Sequence, residues 1–246
     1  MHKTGMLCAA LVLCANSQAA TIAAWSMDGQ PGSQAGMAAT DAAMGINAAT
    51  LARGADLGAP GGSASFSSNG WGGSDSGDYL SFSISVESGY SLQLASLEIA
   101  TRASNTGPGT LGLFYSLDGF SDPLDTFAQP GSDVVESLFD LSSLAVITGS
   151  IEFRIMEIGD TQADGSGSTS DAGTLRIVDR AAGATQFTGE LQLQAVPLPA
   201  SAWLFASALG AVGWRRRRAD TRAVTGVDTD SGGGVDAGEV RGASAG

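Results

Sequence analysis

Carboxylates are the side chains in this sequence with the number and placement to do chemistry. Asp160, Asp164 and Asp171 share one stretch rich in Gly, Ser and Thr. Such a loop offers the oxygen donors of a calcium site, since Ca²⁺ takes about six to eight oxygens in a flexible cage. Asp28 follows the first strand-like run and Asp179 follows a late one. Across neighbouring strands these two would meet at one sheet edge as an alternative Ca²⁺ pair. Trp71, between Gly70 and Gly72, is the candidate glycan-binding residue, an exposed indole on which a sugar ring would stack. Trp25, Tyr79, Tyr90 and Tyr115 either extend that platform or fill the core, where aromatic side chains are at home.

Other chemistry is excluded by what is missing. The single histidine is His2, and the two cysteines, Cys8 and Cys14, lie in the same N-terminal segment. Beyond residue 14 there is no imidazole or thiol for nucleophilic catalysis, a zinc site or thiol redox reactions. Paired carboxylates for glycoside hydrolysis remain available by number. No two of them form a recognisable constellation, so no catalytic residue is assigned and no cofactor is required. Between Thr21 and Ala195 there are 20 acidic residues against 5 arginines. That balance argues against nucleic acid as a partner, because phosphate contacts need a basic face.

The elements that must position these groups read as strands. Leu80, Phe82, Ile84 and Val86 alternate with serines, the pattern of a half-buried strand. Leu92 and Leu94, then Leu97 and Ile99, continue it across a break in phase. Leu111, Leu113 and Tyr115 alternate up to the turn sequence Ser116 to Gly119. Ile151, Phe153 and Ile155 follow, then Leu175 and Ile177, and finally Phe187 to Leu193. One apolar and one polar face per strand, with Gly, Asp and Ser between strands, predicts an all-β, jelly-roll-like β-sandwich over residues 20–195. The Ala-rich segment Asp41 to Leu57 is expected to form a short helix or covering loop, and Leu138 to Leu144 a helical turn.

Both ends read as addresses. Residues 1–19 form a signal peptide, with His2 and Lys3 before the apolar run Met6 to Cys14 and a small-residue cleavage site at Ala19. Near the other end stand Val196, Pro197, Leu198, Pro199 and Ala200, then an uncharged run to Trp214, then Arg215, Arg216, Arg217 and Arg218. At about 1.5 Å per residue the run from Val196 to Trp214 reaches roughly 28 Å, the thickness of a hydrocarbon core. The four arginines mark its cytoplasmic side. Motif, apolar helix and basic cluster in this order resemble the VPLPA variant of the PEP-CTERM sorting signal over 196–218. That resemblance implies a substrate of an exosortase, a membrane enzyme that cleaves near the motif. It also implies a setting of exopolysaccharide or biofilm matrix.

Less specifically, the Trp25 strand, Asn69 to Trp71, Gly77 to Phe82, Ser116 to Phe120, Phe153 to Ile155 and Leu175 to Asp179 resemble ectodomains found ahead of this signal, which are jelly-roll-like. The tail, 219–246, is Gly-, Asp- and Ala-rich and is expected to be disordered. Its acids from Asp228 to Glu239 have EF-hand spacing, but without the flanking helices such a loop needs.

The sequence therefore predicts a non-catalytic surface or matrix protein, anchored in the inner membrane with its ectodomain in the periplasm until an exosortase processes it. The alternatives are a carbohydrate-binding module for exopolysaccharide and a carboxylate-only glycoside hydrolase.

Overall fold

A computed structural model describes residues 19–73 and 77–194. The chain separates into two units, Met1–Ala195 and Val196–Gly246, and every described residue belongs to the first. The leader through residue 18, the sorting motif, the arginine cluster and the tail lie outside the described residues. Among the described residues no helix is long and apolar enough to cross a membrane.

The described region is all-β. In chain order the strands are β1 (Ala20–Trp25), β2 (Pro31–Gly32), β3 (Gly36–Ala38), β4 (Asp41–Ala42), β5 (Ile46–Arg53), β6 (Ser65–Asn69) and β7 (Tyr79–Val86). Then come β8 (Tyr90–Ala103), β9 (Thr110–Tyr115), a 3₁₀ turn (Ser116–Asp118), β10 (Asp125–Ala128), β11 (Val134–Asp140), β12 (Ser150–Glu157), β13 (Thr174–Val178) and β14 (Thr185–Leu193). They form two sheets. The first runs β2-β6-β13-β8-β14-β1-β4, with β11 also paired to β8, and the second runs β10-β9-β12-β7-β5-β3. From β5 to β9 successive strands alternate between the sheets, and β1 pairs with β14. Every strand pairing is antiparallel except the short contact of β2 with β6.

Register lines up the apolar faces. In the second sheet Phe153 stands opposite Phe82, Ile151 opposite Ile84, and Ile155 between Leu80 and Leu113. All seven are buried, and each such side chain contributes about 1.5–3 kcal/mol by leaving water. Four rings tie the sheets together. Trp25 and Phe187 from the first meet Phe82 and Phe153 from the second. Trp25–Phe82 centroids lie 5.1 Å apart, Phe82–Phe187 5.7 Å and Phe153–Phe187 5.1 Å. Aromatic contacts of this kind, two edge-to-face and one tilted, add about 0.5–1.5 kcal/mol beyond burial.

The break in phase at Ala95 is a β-bulge. Thr188 faces Ser96, but Gly189 faces Leu94, so one residue of β8 is left over. Gly189 is required there, since a Cβ would sit 2.4 Å from the Gln93 carbonyl oxygen.

Two expectations are corrected. The Ala-rich segment forms strands β4 and β5 rather than a helix or covering loop. β5 is paired on both edges, with β3 and β7, and that pairing outweighs the helical preference of alanine. The segment at 138 is not a helical turn up to Asp140 but the end of β11. It follows the β8 backbone from Ser96 to Arg102 although Phe139 is its one buried side chain.

Candidate functional site

Trp71 is not a platform. Its side chain is fully buried, and its Nε1 donates to Ser68 Oγ (3.1 Å), which donates to the Leu175 carbonyl (2.8 Å). A ring with no open face cannot stack on a sugar. The Gly-rich flanks serve instead to fold the loop tightly over the ring. Gly72 packs so closely on Asp171 that a Cβ would lie 2.7 Å from its backbone nitrogen. Trp25 is likewise fully buried.

Of the predicted calcium acids, Asp160 and Asp164 are engaged within their own loop. Asp160 Oδ1 accepts from the Thr169 amide (3.1 Å) and Asp164 Oδ1 from the Ser166 amide (2.9 Å). The Ser166 bonds, backbone first, hold the Asp164 carboxyl below its ordinary pKa. Asp171 uses its backbone carbonyl to accept from Gly70 (2.8 Å). Asp179 does reach the end of β1, where Asp28 lies, but as a backbone cap. Its Oδ1 accepts from the Met27 amide (2.8 Å) and its Oδ2 from Ser26 Oγ (3.4 Å). Among the described residues no three His, Cys, Asp or Glu side chains stand together as a metal cage.

One carboxylate missed in the sequence is strongly perturbed. Glu157 ends β12, one residue beyond the Met156–Tyr79 pair, which places it beside Asp78. Half-buried, its carboxyl is pushed up to about 7 by loss of solvent. The hydrogen bond from the Thr169 hydroxyl opposes that rise, and the charges of Asp160 and Asp78 reinforce it. Oε2 is buried without a hydrogen-bond partner among the described residues. A raised carboxyl of this kind is a mark of functional sites and also of structural acid clusters.

The outer face of the second sheet carries the most organised side chains. Arg154 points outward between the buried Phe153 and Ile155. Its guanidinium carbon lies 3.9 Å from the ring centroids of both Tyr79 and Phe120. Nε donates to Glu152 Oε1 (2.7 Å), an ion pair that fixes the plane of the fork. Phe120 is brought there by the turn after β9, in a left-handed conformation (φ 60°). Its amide is held by Asp118 Oδ1 (2.8 Å) and the Tyr115 carbonyl (3.0 Å). A bulky residue in that region is strained by about 1–3 kcal/mol and persists only where its surroundings enforce it. Hydroxyls extend the same face. Ser83 stands between Glu152 and Thr50, and Ser85 opposite Ser150, with Ser150 Oγ 3.2 Å from Ser85 Oγ, while Ser81, opposite Arg154, is buried beneath it. The face thus combines a fixed guanidinium, ring edges and a field of hydroxyls. It can hydrogen-bond and pack against a polyhydroxylated chain.

No family model matches the chain, and no curated protein matches it. Seven chains of solved structures match. One, described as a carbohydrate-binding module of family 29, is 14% identical over 70% of this chain and 89% of its own, with a TM-score of 0.33. A mutant of such a module complexed with mannohexaose is 12% identical over 70% of this chain and 92% of its own, with a TM-score of 0.32. At that overlap neither a site nor a ligand carries over, and the function must be argued from this chain's own residues.

Proposed function

We propose that this is an exported, non-catalytic surface or matrix protein whose jelly-roll sandwich binds polysaccharide on the outer face of its second sheet. The observation that carries this reading is the bracket of Arg154 between Tyr79 and Phe120. A strained aromatic residue is spent there to hold a guanidinium rigid on a hydroxyl-lined surface. Rigid donors and ring edges suit sugar recognition, because little side-chain freedom is lost when the ligand arrives. The lack of histidine and cysteine beyond residue 14 supports a binding role over a catalytic one. The resemblance of 196–218 to a VPLPA-type PEP-CTERM signal supports export, membrane anchoring through the C-terminal apolar segment and processing by an exosortase. Exopolysaccharide is then the ligand at hand.

The test is affinity electrophoresis of the purified chain through gels containing neutral polysaccharides, with Arg154→Ala and Tyr79→Ala alongside. Retardation of the wild type and about tenfold weaker binding by either variant are expected. Equal retardation of all three, or none at all across a broad panel, overturns the assignment. Cell fractionation with and without the exosortase, with mass spectrometry of the product, tests the sorting half separately.

A further inference from the structure

The geometry points to a second binding site, on the first sheet, for the anionic groups of an acidic polysaccharide. Arg176 of β13 stands directly opposite Arg102 of β8. Both point outward, because Leu175, Ile177, Thr101 and Ala103 on either side of them are buried. Like charges directly opposite each other on one sheet face repel. A stretch with 20 acidic residues has ample means to neutralise them, yet neither arginine forms an ion pair among the described residues.

The other arginines of the domain are committed. Arg154 pairs with Glu152 and Arg180 with Glu98. Arg53 gives its donors to the carbonyls of Ser67, Gln34 and Gly32. Arg102 spends only Nε, on the Ser132 carbonyl (2.8 Å). The Nε of Arg176 is buried with no hydrogen-bond partner among the described residues. Among the described residues, the two guanidiniums with neither an acidic partner nor a full set of carbonyl acceptors are therefore neighbours.

They line an open trough of about 460 Å³ together with Ser104, Asn105, Ser132 and Thr174. The Arg176 guanidinium is fixed from one side by the loop at Gly62, where a Cβ would lie 3.0 Å from Cζ. Guanidinium forks match carboxylate and sulfate oxygens two at a time, and the flanking hydroxyls and carboxamide suit the ring hydroxyls of a sugar. A nucleic acid fits poorly. The basic spot is two residues wide on a strongly acidic domain, whereas a phosphate backbone needs a basic track. This site extends the glycan reading but stands on the opposite sheet from Arg154, so the two can fail independently.

The experiment is calorimetry of the full chain with trigalacturonate, its uncharged galactose counterpart, sodium sulfate and a thymidine oligonucleotide at low ionic strength. Trigalacturonate is expected to bind, sulfate to compete with it, and added salt to weaken it. Arg102→Gln, at an exposed position, is expected to weaken trigalacturonate at least tenfold. The Arg102→Gln/Arg176→Gln double variant should lose it, with neutral-glycan binding through Arg154 intact. No binding of trigalacturonate, equal binding by the Arg102→Gln variant, or equal affinity for the uncharged sugar overturns the proposal. Sulfate binding without uronate binding, or tighter binding of the oligonucleotide, overturns the choice of ligand. Loss of trigalacturonate in Arg154→Ala but not in Arg102→Gln moves the ligand to the other sheet.

Discussion

Replacing Glu157 with glutamine should flatten the pH dependence of stability. The native carboxyl is raised from 4.5 to about 7, chiefly by burial. An acid raised on folding holds its proton more tightly in the native state than in the unfolded one. Its stabilising contribution is full below the unfolded value, near 4.5, and is lost as the pH climbs through about 7. At about 1.4 kcal/mol per pH unit the rise sets a ceiling of roughly 3 kcal/mol. Partial exposure screens this to about 1–2 kcal/mol, or a few degrees in the melting midpoint of a domain this size.

Imidazoles do not complicate that window. The one histidine is His2, so no imidazole of the sandwich titrates between pH 5 and 8. Asp140, lowered by hydrogen bonds from Ser142, and Asp164, lowered by Ser166, titrate well below it. Thermal unfolding of the wild type and Glu157→Gln should be followed from pH 5 to 8.5. The wild-type midpoint is expected to fall as pH rises. The variant should stay level and overtake the wild type at the alkaline end, because the glutamine oxygen still accepts from Thr169 while no charge is left facing Asp160 and Asp78. A wild-type midpoint that holds or climbs across this range refutes the argument, and so does a variant that falls in parallel.

Three further outcomes follow from the packing. Trp71→Ala should cost about 3–5 kcal/mol in urea unfolding, through the cavity and the lost bond to Ser68, while leaving affinity for glycans untouched. Gly189→Ala should cost about 1–3 kcal/mol, because the added methyl would meet the Gln93 carbonyl oxygen at 2.4 Å and Leu94 Cα at 3.1 Å; an unchanged midpoint would mean that the bulge can slide. Millimolar calcium should leave the melting midpoint of the sandwich where it is, since the carboxylates of Asp160, Asp164 and Asp179 are each tied to a different amide; a rise of several degrees would contradict this.

How far each feature could be read in advance depended on whether its cause is local. β7 and β12 were legible because wet serines or charges alternate with large apolar residues, and the contrast alone places them. β5 was not, because alanine has so little side chain that burying Ala49 and exposing Ala48 leaves almost no trace in the pattern. β11 was not, because Leu138 and Val134 face solvent and its conformation is imposed by the β8 edge. The phase break at Ala95 was visible, but that it is a bulge becomes clear only with Gly189 opposite it.

The same distinction governs the sites. Gly-rich flanks made Trp71 look exposed, whereas they are what lets the loop close over it. Nothing near Arg154 in the sequence announces Phe120, since the two meet only because β9 lies beside β12 with Phe153 opposite Tyr115. Arg102 and Arg176 are far apart in the chain and become neighbours through one register. A slip of one residue in β13 would turn Arg176 into the core and Leu175 into solvent, so the hydrophobic alternation that stabilises the sheet also places the two charges side by side. The burial of Leu175 and Ile177 beneath outweighs the repulsion between them, which is how a stable fold can keep two arginines side by side with no acidic partner among the described residues.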